Sequence, residues 1–187
     1  MLNETLNPIN ILQKIGVEKG TQVGDFGCGR RGTFTFAAAE IVGMEGKVYA
    51  VDVLKSAIKN INDQSRLEGY EKIIITIWSN LEKYKATAIK DNSLDVGLLI
   101  NVLFQTDLPE DTIKESARMV KNGGTLFISD WATDSYLGKV AAKKHTDIDY
   151  KKFKSPKEIK SIANKLGLKL IEEFKPWDSH FGLVFKK

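Results

Sequence analysis

The sequence predicts an α/β fold, a doubly wound seven-stranded sheet that is mostly parallel and has an antiparallel C-terminal hairpin strand. Short apolar runs alternate with helical patterns as far as residue 166, and helical crossovers join strands in parallel. The last two apolar runs are separated by only six residues, Lys175–His180, and so short a connection pairs strands antiparallel. The length of 187 residues fits one ordinary domain.

Composition is that of a globular protein, because 42% of the residues are hydrophobic and 28% are charged. No apolar run approaches the ~18 residues that span a membrane. Met1–Pro8 lacks the basic and apolar regions of a signal peptide. The single cysteine leaves neither a disulfide framework nor a multi-cysteine metal site. We therefore expect a cytoplasmic protein without a metal site or a membrane span.

The charge is unevenly placed along the chain. Residues 139–187 hold 13 lysines and 6 acidic residues, a net charge of +7, whereas the remainder carries −3. A basic segment of this kind fits an acidic substrate, RNA or a membrane surface. A solvated lysine-rich surface is the simpler interpretation, because lysine is mostly exposed in folded proteins.

Apolar periodicity and flanking glycines define the elements of the first half of the chain. The first is a helix over Ile9–Ile15, which ends at Gly16. The elements that follow it are the strands Gln22–Phe26, Lys47–Val51 and Ile73–Trp78, and the helices Thr33–Val42, Leu54–Leu67 and Leu81–Ala86.

The second half continues the alternation and ends in the hairpin. Ser155 and Glu158 predict an N-cap with a capping box, and Pro156 suits the first helical position. The predicted elements are the strands Leu94–Ile100, Thr125–Ser129, Leu168–Phe174 and Phe181–Phe185, and helices over Glu110–Val120 and from Ser155 to Gly167. We predict a single domain over residues 1–187, with residues 1–18 as a helical cover and residues 132–154 as a segment on the substrate side.

A glycine-rich turn joins the first strand to the next helix. It reads Asp25-Phe26-Gly27-Cys28-Gly29-Arg30-Arg31-Gly32, and such a turn exposes backbone N–H groups at a helix N-terminus, where nucleotide-like ligands bind. Asp52 ends the second strand about 20 residues later, a position from which a carboxylate accepts hydrogen bonds from ribose hydroxyls. The spacing alone allows NAD as readily as another adenosine ligand.

With these motifs the sequence resembles the class I S-adenosylmethionine-dependent methyltransferases. Val23–Gly29 is similar to that family's first motif, Val48–Val53 to its second strand and ribose-binding acid, and Met119–Leu126 to the turn before its fifth strand. The C-terminal hairpin is similar to the family's topology. The resemblance covers about Gly20 to Phe185 and implies S-adenosyl-L-methionine as the cofactor.

The resemblance also implies roles for residues at the strand ends. Asp25 would contact the methionine amino group, Gly27 and Gly29 would let the backbone approach the methionine and ribose, and Asp52 would bind both ribose hydroxyls. The other implied cofactor-binding residues are Cys28 in the turn, Val53 against the adenine, Ser79 and Asn80 at the adenine edge, where many relatives have an acidic residue, and Asn101 through its backbone carbonyl.

The turn departs from the family pattern, because Gly29-Arg30-Arg31-Gly32 stands where many relatives have Gly-x-Gly. Two arginines at a helix N-terminus are unfavourable with the helix dipole unless an anionic group lies there. We hypothesise that Arg30 or Arg31 reaches the carboxylate of the cofactor's methionine or an acidic group of the substrate. The alternative is that both point into solvent.

The methyl acceptor is less clearly indicated than the cofactor. Two prolines and an aromatic residue follow Asn or Asp in amino-methyltransferases, and Val102-Leu103-Phe104 after Asn101 argues against planar exocyclic amines. We expect the acceptor over Asn101–Asp107, Asp130–Trp131 and residues 132–154. His145 is a weak candidate for a catalytic base. The ring of His180 is expected to pack against Trp177.

A small-molecule acceptor is our first expectation for the function. RNA or a protein side chain is the second, suggested by the basic C-terminal quarter. A non-catalytic S-adenosylmethionine-binding subunit is the third, and an NAD oxidoreductase is the last, because no second domain would supply its catalytic groups. The sequence leaves the oligomeric state open.

Overall fold

The computed structural model describes residues 7–132 and 153–187. The strands in these ranges are β1 Gln22–Phe26, β2 Lys47–Asp52, β3 Ile74–Trp78, β4 Leu94–Ile100, β5 Val120–Trp131, β6 Lys169–Phe174 and β7 His180–Lys186. The helices are α1 Pro8–Lys14, α2 Thr33–Val42, α3 Lys55–Leu67, α4 Pro109–Met119 and α5 Pro156–Lys165, with a short 3₁₀ turn over Gly43–Glu45.

The seven strands form one sheet in the order β3-β2-β1-β4-β5-β7-β6. Neighbours from β3 to β5 are parallel, and β7 runs antiparallel to both β5 and β6. The predicted doubly wound sheet with its antiparallel hairpin strand is thereby confirmed. Strand order reverses between β1 and β4, so their carboxyl ends flank the crevice in which open α/β sheets bind ligands.

Each face of the sheet carries its own apolar layer. On one face, Val23, Val96 and Phe127 pack with residues of α1, α2 and α3. On the other, Phe26 and Leu126 pack with residues of α4 and α5. Helices therefore cover both faces, as an almost entirely apolar parallel sheet requires. None of the helices in the described ranges has the length and apolar character needed to cross a bilayer.

Most predicted boundaries agree closely with the structure, and the capping box of α5 is confirmed. The Ser155 hydroxyl accepts the Glu158 N–H at 3.3 Å, and the Glu158 carboxylate accepts the Ser155 N–H at 2.8 Å. β5 is longer than the predicted Thr125–Ser129. Val120 already pairs with Leu94 before an irregularity in the register, and Trp131 still pairs with His180 at the far end.

The predicted helix over Leu81–Ala86 is wrong, because these residues form turns. Lys85 has a φ of 61°, which interrupts a right-handed helix. The carboxylate of Glu115 on α4 accepts the N–H groups of Lys85 at 2.8 Å and of Thr87 at 3.1 Å. A distant side chain therefore satisfies the donors that a helix would have paired, and no local pattern carries this information.

Arg118 joins Glu115 in a buried ion pair that holds the same turns. Its Nε and Nη2 each donate to a different Glu115 carboxylate oxygen at 2.8 Å. The guanidinium also donates to the carbonyls of Ile89 and Thr87 at 2.8 and 3.1 Å and to the Asp91 carboxylate. Five donor contacts on one buried arginine fix the chain between β3 and β4.

The substitution Arg118→Met is expected to lower the free energy of unfolding by about 3 to 5 kcal/mol, because the buried Glu115 carboxylate then has no opposite charge beside it. Urea unfolding followed by circular dichroism measures the change. Lys59→Met removes the exposed Lys59–Asp63 ion pair of α3 and is the control, with an expected change below about 0.5 kcal/mol. Similar effects of the two substitutions would contradict the structural role of Arg118.

Candidate functional site

The glycine turn after β1 is fixed by the neighbouring strand. The N–H groups of Gly27 and Cys28 both donate to the Val51 carbonyl on β2, at 2.7 and 3.0 Å. Gly27 has a φ of 82°, and an added Cβ there would lie 2.5 Å from a methyl group of Val102. Only glycine therefore fits this position without strain. These contacts fix the shape of the turn at the carboxyl end of β1, with no side chain at position 27.

Asp52, at the end of β2, ties the turn to the next helix. One carboxylate oxygen accepts the Gly29 N–H at 2.9 Å, and the other accepts the Leu54 N–H at 2.8 Å. Carboxylate oxygens have several lone-pair positions, so Asp52 keeps acceptor capacity toward the neighbouring space. The sequence prediction for Asp52 placed it at this strand end, and the structure agrees.

The first cleft is a cavity of about 360 Å³ over the carboxyl ends of β1, β2 and β3. Val53, Leu81 and Val102 give it apolar walls, while Asp52 and Glu82 bring carboxyl groups. Its full lining is Gly27, Gly29, Asp52, Val53, Leu54, Ser79, Asn80, Leu81, Glu82, Val102, Gln105, Thr106 and Thr112. This combination of apolar walls and hydrogen-bond acceptors suits a flat ring that carries hydroxyl groups.

The second cleft, of about 420 Å³, adjoins the first over β1 and β4. Its lining is Asp25, Gly27, Cys28, Gly29, Thr33, Phe34, Ile100, Asn101, Gln105, Trp177 and His180. Gly27, Gly29 and Gln105 line both clefts, so the two clefts adjoin with Gln105 at the junction, and together they are called the groove. No lysine or arginine from the described ranges lines either cleft.

Asp25 is the buried carboxyl group of the second cleft, with only 4% of its surface exposed. The Thr35 hydroxyl donates to it at 2.5 Å, and no ion pair within residues 7–132 and 153–187 involves it. Burial raises its pKa to about 6; the Asp52 charge adds to this, and the Thr35 hydrogen bond opposes it. A cationic group in the cleft would remove the cost of this buried charge.

Asn101 follows β4 with a φ of 57°, an uncommon conformation for a residue other than glycine. Its N–H donates to the Ser129 carbonyl at 2.9 Å, and its side-chain oxygen lies 2.8 Å from Nε2 of His180. Its own carbonyl accepts the Gln105 side-chain amide at 2.7 Å. Hydrogen bonds from three sides therefore hold Asn101 in this strained geometry.

His180 is 6% exposed and lies between two indole rings. Its ring centroid is 5.0 Å from that of Trp177 and 4.3 Å from that of Trp131, so the predicted packing against Trp177 is confirmed. Burial lowers the pKa of His180 to about 4, and the ring is neutral at pH 7. Nε2–H then donates to Asn101, and Nδ1 accepts the Ser179 hydroxyl at 2.8 Å.

The groove brings together most of the predicted site residues. Asp25, Cys28 and Asn101 line the second cleft; Asp52, Val53, Ser79 and Asn80 line the first; Gly27 and Gly29 line both. The hydroxyl of Ser79 is paired with that of Thr87 at 3.1 Å, and the side-chain oxygen of Asn80 accepts the Glu82 N–H at 2.9 Å. The side chains of Ser79 and Asn80 thus hold their own loop.

Two other groups of predicted residues line neither cleft. Arg30 and Arg31 are exposed and line neither cleft, and Nη2 of Arg30 donates to the Ser56 hydroxyl at 3.3 Å. Asp130 is buried, and its carboxylate accepts the N–H groups of Trp131 and Phe104 at 2.8 and 3.1 Å, so it supports the loop after β4. His145 lies outside the described residues.

The sequence prediction missed Phe34 and Glu82 as lining residues, and it included Val102, Gln105 and Thr106 only within the acceptor range Asn101–Asp107, not as residues of the cofactor clefts. Four of them lie in irregular segments that follow β3 and β4, where no periodicity distinguishes a lining residue from a solvated one. Phe34 lies in the first turn of α2, and its ring meets that of Trp177 edge-on with the centroids 6.0 Å apart. For the four loop residues, the position after a strand end is the one sequence signal that could have indicated a place in the clefts.

Comparison with known proteins adds an independent observation. A family model described as a methyltransferase domain matches residues 17–174. The ubiquinone/menaquinone biosynthesis C-methyltransferase of Azotobacter vinelandii is 28% identical over 127 residues, which are 67% of this chain and 49% of that protein. The ubiquinone biosynthesis O-methyltransferase of Cupriavidus pinatubonensis is 26% identical over 181 residues, 89% of this chain and 68% of that protein. The chain spans about half the length of several of its curated relatives.

A solved structure supports the same fold. The crystal structure of a SAM-dependent methyltransferase from Aquifex aeolicus superimposes with a TM-score of 0.81 at 21% sequence identity. The match covers 97% of this chain and 90% of that one. The likeness therefore extends over nearly the whole sheet and its helices.

The substitution Asp25→Asn is expected to stabilise the fold at pH 8. The pKa of Asp25 is about 6 in the folded chain and about 4 when unfolded, so the folded state binds more protons and loses stability as the pH rises through this range. Asparagine still accepts the Thr35 hydrogen bond and has no charge to bury. The expected gain at pH 8 is about 2 to 3 kcal/mol.

Urea unfolding at pH 4.5 and pH 8 tests this expectation, because the gain should shrink at the lower pH. Asp178→Asn, at an exposed position between β6 and β7, is the control and should change stability little at either pH. A gain that is the same at both pH values would show that the charge of Asp25 is not its source.

A second prediction concerns the protonation of His180. The chain has two histidines, so long-range ¹H–¹⁵N spectra are simple, and His145→Gln assigns them. We expect the Nε2–H tautomer for His180 and no titration between pH 5.5 and pH 8, because its pKa is about 4. A midpoint near 6.5, or the Nδ1–H tautomer, would contradict the hydrogen bond to Asn101.

Proposed function

Because the chain belongs to the class I S-adenosylmethionine-dependent methyltransferase family, we propose that it transfers a methyl group from S-adenosyl-L-methionine to a small-molecule acceptor. The observation that carries the proposal is the pair of carboxyl groups, Asp52 and Asp25, in adjoining clefts of one groove. The glycine turn lies between them. A ligand with a hydroxylated ring at one end and a cationic group at the other matches this arrangement.

The first cleft fits the adenosine half of the cofactor. Asp52 is the acceptor for the two ribose hydroxyls, since its carboxylate is held by the backbone and retains free lone pairs. Val53 is more than half exposed beside it, although it is apolar. We assign Val53, Leu81 and Val102 to the faces of the adenine ring, because burying these apolar surfaces favours binding.

The second cleft fits the amino-acid half. The buried Asp25 carboxyl group and the Asn101 carbonyl are both acceptors, and an ammonium group is a donor that carries a full positive charge. Its charge beside Asp25 would lower the pKa of that carboxyl group and favour the ionised form. The fit therefore rests on the chemistry of the donors and acceptors that line the groove.

S-adenosylmethionine supplies a methyl group on a sulfonium, which an acceptor takes in an in-line displacement. For this chemistry the chain's residues mainly bind, orient and exclude water. The Gly27–Gly29 turn lines both clefts with backbone that a ligand can approach closely, and the rings of Phe34, Trp177 and His180 close one side of the second cleft. His145 stays a prediction for a general base.

A small-molecule acceptor is favoured over RNA by the charge of the groove. The described lysines of the basic C-terminal quarter line neither cleft. Lys186 donates to the Gly123 carbonyl and Lys187 to the Val120 carbonyl. Both contacts are at the start of β5, at the end of the parallel strands opposite to the clefts. RNA binding needs cations along the phosphate path, whereas aromatic walls suit a compact apolar acceptor. The names of the two quinone-biosynthesis relatives point to the same class.

Isothermal titration with S-adenosylhomocysteine tests the cofactor assignment. Asp52→Asn is expected to weaken binding about tenfold to a hundredfold, because hydrogen bonds to a charged acceptor are stronger than those to an amide. Asp63→Asn, an exposed carboxylate of α3, is the matched control and should leave binding unchanged. Binding of NAD in place of S-adenosylhomocysteine would overturn the proposal.

Transfer from labelled cofactor into cell extracts tests the acceptor class. We expect label in the small-molecule fraction, and none from the Asp52→Asn variant at low cofactor concentration. Label in RNA or protein would replace the small-molecule acceptor by a macromolecular one. Tight cofactor binding without transfer into any fraction would indicate a non-catalytic subunit.

A further inference from the structure

Gln105 occupies the junction of the two clefts and has no role in the cofactor contacts proposed above. Its side chain is exposed and lines both clefts, so a ligand that extends from one cleft into the other must pass it. Its Nε2 donates to the Asn101 carbonyl at 2.7 Å, across four residues. The loop between them is irregular, and no helix imposes this contact.

The Asn101 carbonyl is a rigid acceptor, whereas its partner is movable. Asn101 is held by the Ser129 carbonyl at its N–H and by His180 at its side chain. Its positive φ takes the residue out of the regular strand geometry of β4 at the edge of the second cleft. A glutamine side chain has three rotatable bonds, and an exposed one exchanges easily with solvent. Of the two groups, Gln105 is the one that can leave.

We propose that the Gln105 amide is a placeholder for the cationic donor of the ligand, and that the amino group of the cofactor displaces it from the Asn101 carbonyl. The inference rests on the proposed function, since it takes the bound ligand to be S-adenosylmethionine or its product. Without ligand, Gln105 keeps the carbonyl hydrogen-bonded. With ligand, an ammonium group makes the stronger, charge-assisted bond to the same oxygen.

This exchange has a measurable consequence for affinity. Under the proposed displacement, a ligand with an amino group breaks the Gln105–Asn101 hydrogen bond when it binds, so that bond weakens binding by its own net strength. An exposed hydrogen bond contributes about 0.5 to 1 kcal/mol, which corresponds to roughly two- to fivefold in affinity. A ligand that fills only the first cleft leaves the bond intact and gains nothing from its removal.

Isothermal titration of Gln105→Ala and Gln105→Met with two ligands tests the proposal. S-adenosylhomocysteine carries the amino acid group, and 5′-methylthioadenosine lacks it. We expect both variants to bind S-adenosylhomocysteine about two- to fivefold more tightly than wild type and 5′-methylthioadenosine unchanged. Methionine matches glutamine in length but cannot donate, so a gain confined to the alanine variant would assign the effect to bulk and overturn the proposal.

The matched control is Gln64→Ala. Gln64 on α3 is half-buried, and its Nε2 donates to Glu68 at 2.8 Å across four residues, but it lines neither cleft. Both affinities should stay at the wild-type value. Weaker or unchanged binding of S-adenosylhomocysteine by the Gln105 variants would overturn the placeholder role alone. A wild type that binds neither ligand would overturn the proposed function, and the inference with it.

Side-chain ¹⁵N spectra of the wild type give a second readout that needs no variant in the binding step, with Gln105→Met used only for assignment. The Gln105 amide resonance should move when S-adenosylhomocysteine is added and stay in place when 5′-methylthioadenosine is added. Equal movement with both ligands would show that Gln105 responds to the first cleft, and would contradict displacement by the amino group.

Discussion

The geometry of the groove depends on the fixation of the turn after β1. The Val51 carbonyl accepts two consecutive N–H groups of the turn, and the Asp52 carboxylate accepts a third. All three bonds come from the end of β2, so the turn is shaped by the neighbouring parallel strand more than by its own sequence. Glycine is needed at position 27 because the methyl group of Val102 leaves no room for a Cβ. The same Asp52 carboxylate both builds the turn and faces the first cleft.

The ionised form of Asp25 is unfavourable for folding, because this carboxyl group is buried in a groove that no described lysine or arginine lines. The pKa of Asp25 is raised chiefly by burial, and the charge of Asp52 adds to the effect. Burying an uncompensated charge costs stability, so we expect a buried carboxyl group of this kind to be retained for a function. The cationic group of the proposed cofactor would supply the missing charge. Under that proposal, the Asp25 carboxylate lowers the stability of the fold and raises the affinity of the site.

The fold was predictable because its signals are local. Apolar runs, glycine punctuation and the capping box of α5 lie within a few residues of the elements they define, and the short connection before His180 fixes the antiparallel strand. The strand-end residues Asp25 and Asp52 were predictable for the same reason. The loops were not. The turns near Lys85 are set by Glu115 some 30 residues away, and the place of Gln105 depends on how Asn101 is held by His180.

The basic C-terminal quarter shows how composition misleads when position is unknown. Lys187 donates to the Asn92 side chain and to the carbonyls of Ala117 and Val120, where it satisfies acceptors at the end of α4 and the start of β5. Lys160 pairs with Glu173, between α5 and β6. Lys187 and Lys160 therefore make their contacts outside the groove, whereas carboxyl groups line the groove. Within the described residues, the charge that lines the groove is therefore opposite in sign to the net charge of the basic segment, and it favours a cationic ligand.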